Sequence, residues 1–333
     1  MRRVLVPLTL REGEPLEGRI ATMGGTSMGT SWSAKAVLAD GFDTVLAQRL
    51  QNALDDVVAQ MSHWEAGSNL GLYNRADAGS WHLLPAAFAR VMAYALWVRG
   101  ASTGAYDPCA GALVNLWGFG ARRRYDQPEF HVPTEFAIRA VLARTDGARV
   151  RFDPVTRRML QPGGVELDLS AVAKGFAVDQ MARTLEAAGV RDYLVEAGGE
   201  LRGAGVKPDG HPWWVELEGV PGEDSGEATV AALHGLSVAT SGDYRRHFRH
   251  GDMRASHTLD PRTGYPIGNR VASVTVLHPE CMAADALSTA LSVLGPEEGL
   301  AFAERHQLAA RFLLRAPGKL EELASSAFRA MLQ

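Results

Sequence analysis

Asp285 and Thr289 stand four residues apart in the segment CMAADALSTA, whose composition suits a helix. On a helix that spacing puts a carboxylate and a hydroxyl on one face, one turn apart. Two such oxygens suit a hard cation such as Mg²⁺, which takes oxygen ligands and few of them from protein. The plainer reading of the pair is a solvated face or a local hydrogen bond. The chain leading into it carries His257, then a DPRTG turn and the β-branched run VASVTVL. Imidazole titrates near neutral pH and suits proton transfer, although a histidine beside a turn more often only hydrogen-bonds. The other histidines have no ligand spacing, so zinc is not expected.

Four more segments have residue types that could do chemistry. MGGTSMGTSW, residues 23–32, sets Gly24, Gly25 and Gly29 among hydroxyl residues. Its backbone amides could approach a phosphate or a flat ring, but it is neither GxGxxG nor a P-loop, and it reads first as a turn before a strand. MSHWEAGSNLGLYN, residues 61–74, offers Trp64 and Tyr73 in a polar loop, either to stack on a ligand ring or to plug a helix end. Asp107, in TGAYDPCAGALVNLWGFG, either caps its Asp-Pro turn or accepts a hydrogen bond from a ligand. In LDLSAVAKGFAVD, Asp168 and Ser170 stand at an expected helix start, where carboxylates cap and anions bind. Lys174, one turn in, is a surface lysine by default and could reach a phosphate.

These residues need elements to position them. Residues 43–61 have the apolar spacing of an amphipathic helix. A polar loop is expected over 62–80, then a helix from Pro85 to about Arg99 and another from an N-cap at Thr134 through Leu142. Residues 148–169 read as short strands. Ser170 to Ala188 reads as a helix with Gly189 just past its end. Strands are expected in RDYLVEAGGE, HPWWVELEG and VASVTVL, and helices over 282–294 and 297–306, separated by Gly295 and Pro296. The alternation is too irregular for a βαβ series, so the class is α+β.

The chain has 333 residues, 46% of them hydrophobic, enough for a substantial core. Its net charge of −4 gives no global basic field, so nucleic acid is not an expected partner. The basic clusters 122–124 and 245–249 read first as solvated loops and second as phosphate or partner contacts. Cys109 and Cys281 make neither a disulfide framework nor a metal motif. No apolar run is long enough for a transmembrane segment. The chain as given shows no export signal or lipid-anchor cysteine, so a cytoplasmic location is expected, and a membrane-associated or exported one if a leader is missing.

Taken together, five segments resemble the ApbE family, the FAD:protein FMN transferases. They are MGTSW, MSHWEAGSNLGLYN, GAYDPCAGALVNLWGFG, the LDLSAVAKGFAVD…YLVEAGGEL block, and TSGDY…SHTLDPRTGYP…ADALSTA. They occur in the family's order over roughly residues 22–295. The resemblance implies a T-fold-like α+β architecture of largely antiparallel sheets with packed helices. Residues 1–20 then form a polar lead-in and 21–333 a single flavin transferase domain, with room for two subdomains divided near 145. It also implies a Mg²⁺-dependent enzyme that takes FAD as donor, transfers FMN to a Thr or Ser hydroxyl of a flavin-acceptor protein, and releases AMP. Asp285 and Thr289 match the family's metal-binding side chains, and the Ala171 carbonyl its backbone ligand. Met28, Trp64, Ala105, Tyr106, Asp107, Asp168, Lys174 and Leu259 match flavin-dinucleotide contacts. His257 matches the histidine that helps activate the attacking hydroxyl.

The chain departs from the family pattern at Asn69, where an acidic residue is usual, at Leu72 for arginine, at Cys109 for threonine and at Trp64 for tyrosine. Two other readings use the same features. One is an FAD pyrophosphatase with water as nucleophile, and the other is a protein that binds FAD without turning it over.

Overall fold

A computed structural model of the chain describes residues 3–7, 17–39, 44–122, 124–145, 149–224, 227–251 and 253–333. It begins with β1 (Arg3–Leu5), β2 (Arg19–Ser27), β3 (Thr30–Leu38) and α1 (Thr44–Met61). Next come α2 (Asn69–Asn74), β4 (Trp81–Leu83), α3 (Ala86–Ala101), α4 (Gly111–Leu116), α5 (Glu135–Leu142), β5 (Phe152–Asp153) and β6 (Arg158–Leu160). They are followed by α6 (Ala173–Ala187), β7 (Tyr193–Ala197), β8 (Glu200–Ala204), β9 (Trp213–Glu216), β10 (Thr229–Leu233) and β11 (Leu236–Gly242). Two hairpins, β12 (His247–His250) with β13 (Met253–Ser256) and β14 (Leu259–Asp260) with β15 (Tyr265–Pro266), precede β16 (Val271–His278). The chain closes with α7 (Cys281–Arg305), β17 (Ala309–Ala316), β18 (Lys319–Ala324) and α8 (Ser326–Arg329). No helix among the described residues is long and apolar enough to cross a membrane.

The chain divides into two compact units. The first comprises Met1–Asp56, Lys174–Gly242 and Arg270–Gln333. Its framework is an eight-stranded sheet in the order β18-β17-β16-β11-β8-β7-β3-β2, with every neighbouring pair antiparallel. Trp32, Ala34 and Ala36 alternate inward along β3, as the two-residue period of a strand requires. In β16 all but His278 are buried, so this β-branched run lies covered on both faces. Helix α7 packs on β11 and β16. A smaller sheet, β1-β10-β9, has β1 parallel to β10 and contributes Leu5, Trp213 and Leu233 to a core shared with Val238 and Phe328.

The second unit comprises Val57–Ala173 and Asp243–Asn269. It holds α2 to α5, the three-stranded sheet β4-β6-β5 and the two hairpins. Leu113, Trp117 and Phe119 pack with Ile138, Val141, Ala255 and Leu259, and the Trp117 indole N–H donates to the Gly264 carbonyl at 2.8 Å. That bond satisfies a polar atom that would otherwise be stranded in the core.

The antiparallel α+β class agrees with the sequence reading, three local expectations do not hold, and a fourth, the turn before a strand in 23–32, holds only at Met28-Gly29. The loop expected over 62–80 contains α2, because Ser68 caps it by accepting from Gly71 N at 2.8 Å while Leu70 and Tyr73 turn inward. Residues 165–169 form no strand beyond a single bridge at Glu166. Helix α6 starts at Ala173, not Ser170, since Asp168 Oδ1 takes the Ser170 amide at 2.7 Å and holds that stretch as a turn. Gly24 and Gly25 lie within β2, where a Cβ on Gly25 would come within 2.7 Å of Trp32 Nε1. Gly25 lets the indole approach the backbone, and Gly24 stands 3.0 Å, by the same measure, from the Trp32 carbonyl oxygen. The turn itself is Met28-Gly29, with φ of 51° and 74°, a two-residue hairpin loop of the kind that needs positive φ at both positions.

Candidate functional site

In the first unit α6 and α7 touch where neither has bulk to spare. A Cβ on Gly175 would lie 2.3 Å from the Cys281 carbonyl oxygen and 2.8 Å from Asp285 Cβ. That closeness lets the Gly175 amide donate to Asp285 Oδ2 at 2.9 Å. One turn along α6, the fully buried Asp179 accepts from the Cys281 and Met282 amides at 3.0 and 2.9 Å. Glu280, the formal N-cap of α7, makes no side-chain cap bond, so α6 supplies the cap. Asp179 also pairs with Arg202 at 2.6 Å, which balances its charge.

Asp285 is 4% exposed. One turn on, Thr289 Oγ1 lies 2.9 Å from Ser241 Oγ on β11, and the same hydroxyl is 2.8 Å from Ser288 Oγ. The pair therefore does not form a solvated face. Its donors are a carboxylate and a hydroxyl. The nearby Cys281 thiol is pushed well above its ordinary pKa, first by burial and then by the charges of Asp179, Glu200 and Asp285. It stays protonated. Among the described residues no group of three His, Cys, Asp or Glu side chains forms a metal cluster. The chemistry of this donor set fits a hard cation completed by carbonyl and substrate oxygens.

Lys174 is not a plain surface lysine. Its ammonium pairs with Glu200, which is 3% exposed. The pair sits beside the Gly198-Gly199 turn, where a Cβ on Gly198 would lie 3.1 Å from Thr30 Cγ2 and 3.6 Å from Lys174 Cδ. The end of the β2–β3 hairpin that bears Met28 thus approaches the start of α6.

The second unit holds the remaining candidates. Asp168 Oδ1 lies 3.8 Å from His63 Nδ1, and Ser170 Oγ 3.5 Å from the same atom. Ala171 follows in the turn leading to α6. Trp64 is 49% exposed, its ring 5.1 Å from that of His63, so it is not a helix plug. Asp107 does cap: Oδ1 accepts from Cys109 N and Oδ2 from Arg99 Nε, both at 2.8 Å. Ala105 and Tyr106 are buried behind it, as is Cys109. Asn69 opens α2, and Leu72 faces outward from it. Leu259 is buried in β14 and offers its backbone.

His257 is held through both ends of its residue. Its amide donates to the Arg246 carbonyl at 3.0 Å, and Nδ1 lies 3.0 Å from the same oxygen. A carbonyl can only accept, so Nδ1 carries the proton and the basic lone pair sits on Nε2. The Phe119 ring stands edge-on at 6.3 Å. Asp179, Glu200 and Ser241 were missed as site residues. The signal for Asp179 was its position four residues after Gly175, on the same helical face. Nothing local marked Glu200 or Ser241.

The first unit holds a buried oxygen-donor pair and a carboxylate-held lysine and the second an oriented histidine, residue types that suit an enzyme of phosphoryl-group transfer. Residues 28–312 match the profile of the ApbE family, and the chain belongs to that family. Over 326 residues it is 36% identical to a Haemophilus influenzae protein named FAD:protein FMN transferase, covering 95% of this chain and 93% of that one. A Vibrio cholerae protein of the same name is 35% identical over 312 residues, covering 93% and 92%. Among solved structures, the Pseudomonas stutzeri flavinyl transferase ApbE in its apo form aligns with TM-score 0.86 and 35% identity over 96% of this chain and 98% of that one.

Proposed function

We propose that the chain transfers the FMN half of FAD to a Thr or Ser hydroxyl of a target flavoprotein, with Mg²⁺ held at Asp285, Thr289 and the Ala171 carbonyl. Residues 21–333 act as the transferase domain, to which β1 of the lead-in adds Leu5 as a core side chain. The observation that carries this reading is similarity over nearly the whole length to proteins named for that reaction. The residue chemistry fits it. Bound Mg²⁺ supplies positive charge against the pyrophosphate oxygens. Lys174, steadied by Glu200, offers its ammonium to a phosphoryl oxygen. Trp64 presents a face for the flavin ring, and Asp168, Asp107, Tyr106 and the backbones of Met28, Ala105 and Leu259 orient the dinucleotide. His257 Nε2 takes the proton of the acceptor hydroxyl. The new bond joins that oxygen to the FMN phosphorus, and the bond to the AMP oxygen breaks.

The test is AMP release from FAD and Mg²⁺, with and without a flavin-carrier domain bearing one acceptor threonine, read beside covalent flavin fluorescence on a denaturing gel. AMP with a fluorescent acceptor band is the expected result. AMP without a band would indicate hydrolysis by water on the same site. No AMP in either sample would overturn the reading in favour of a protein that only binds FAD.

A further inference from the structure

Two stretches that lie far apart in the sequence, each beside a basic cluster, meet in the second unit. Tyr125 stacks on Phe248 of β12 with centroids 5.5 Å apart, and Phe119 and Phe130 close on the same ring at 5.6 and 5.3 Å. Arg246 adds a hydrogen bond to the Phe119 carbonyl at 3.1 Å. This aromatic knot fixes the β12–β13 hairpin against the 119–130 segment. Most arginines around it are neutralised: Arg122 by Glu166, Arg124 by Asp126 and Arg254 by Asp243. The hairpin still has a cationic excess. Residues 246–250 contain two arginines and two histidines and no acid, in a chain whose net charge is −4 with His neutral. Arg245, Arg246, His247, Arg249 and His250 are all exposed.

This exposed charge is fastened to the histidine. The carbonyl that orients His257 belongs to Arg246, the residue that leads into β12. A hydroxyl giving its proton to His257 must come within hydrogen-bond reach of the imidazole. An extended chain advances roughly 3.3–3.6 Å per residue. The few residues flanking such a hydroxyl therefore reach the hairpin, whose strand β12 is four residues long.

We propose that the β12–β13 hairpin docks an acidic segment flanking the acceptor hydroxyl of the target protein. This rests on the transferase reading and specifies which protein surfaces it accepts. Guanidinium groups pair with carboxylates in a forked geometry, and a cationic strand steers an acidic partner toward the base before contact.

The test uses the whole chain as wild type, Arg249→Glu and Arg249→Lys. Flavinylation rates are measured against concentration of the flavin-carrier domain, and FAD affinity by quenching of flavin fluorescence. Arg249→Glu is expected to raise the KM for the carrier domain about tenfold, the scale of a like-charge contact. FAD affinity should stay unchanged, and Arg249→Lys should retain most of the wild-type behaviour. Raising NaCl from about 0.05 to about 0.3 M should erase most of the difference. Wild-type labelling with an unchanged carrier KM in Arg249→Glu would overturn the docking surface alone. Weaker FAD binding in Arg249→Glu would also overturn it, by assigning the hairpin to the donor's phosphates. A wild type that labels no carrier domain would sink the transferase reading and this proposal with it.

Discussion

The amide of Gly175 donates to Asp285 Oδ2 across the α6–α7 contact, and that bond exists only because residue 175 has no side chain. In Gly175→Ala the new methyl meets the Cys281 carbonyl, a backbone atom that cannot swing aside. Overpacking of this kind costs about 1–3 kcal/mol. Thermal unfolding should show that loss, and a Mg²⁺ titration should show weaker metal response at the same FAD concentration.

Asp285→Ala removes the only carboxylate of the proposed cation pair. Turnover at saturating FAD should fall by about 100-fold or more, the scale of several kcal/mol of charge stabilisation. Mg²⁺ binding followed by calorimetry should weaken in parallel. Near-normal turnover and Mg²⁺ affinity would remove the metal from this position.

His257→Gln keeps a hydrogen-bonding side chain and loses the base. Its kcat for flavinylation should drop by about 10²–10⁴-fold while FAD affinity holds. Equal losses in FAD affinity and kcat would instead mark a binding residue.

Asp179 has a different kind of importance, since it caps α7 and balances Arg202 inside the first unit. Asp179→Ala should cost about 3–5 kcal/mol, the usual penalty for breaking a buried pair. Denaturant midpoints measure it. Asp179→Asn, still able to accept from one α7 amide, should lose less.

His278 gives a pH dependence with a definite sign. Burial holds its imidazole below the ordinary 6.5, while contacts with the Glu280 backbone and carboxylate and the charge of Asp179 pull the other way. The unfolded imidazole therefore takes up its proton at higher pH than the folded one. Stability is full above about pH 6.5 and is lost as pH falls through the depressed folded value. Urea midpoints between about pH 7.5 and about pH 5 should fall further in the wild type than in His278→Gln.

The elements legible in the sequence were those whose signals are local. The apolar period of α1 and the Thr134 cap of α5 each occupy a few turns of chain, and both stand as read. The Gly295-Pro296 break appears as a kink, with Gly295 at φ 80° inside α7. Helix α2 was hidden because it has only six residues, held by one cap and two buried side chains. Asp168 and Ser170 have the residue types of a helix start, but their turn delays α6 by three residues. Lys174 could be picked out, but not its partner, because Glu200 arrives from a different strand. The hairpin at 247–256 has no apolar alternation, so only the pairing of β12 with β13 reveals it.

The carboxylate of Asp179 finds its two amides 102 and 103 residues further along the chain, and Gly175 finds Asp285 after 110. Contacts of such separation bear the full entropy of closing a long loop. On a ribosome, where synthesis runs at roughly 5–20 residues per second, α6 emerges and waits several seconds for the helix it must cap. A nascent or truncated chain ending before residue 285 has Lys174 and His257 without Asp285 and Thr289, the oxygen pair proposed to hold the metal, and is expected to leave FAD unconsumed until its fold is complete.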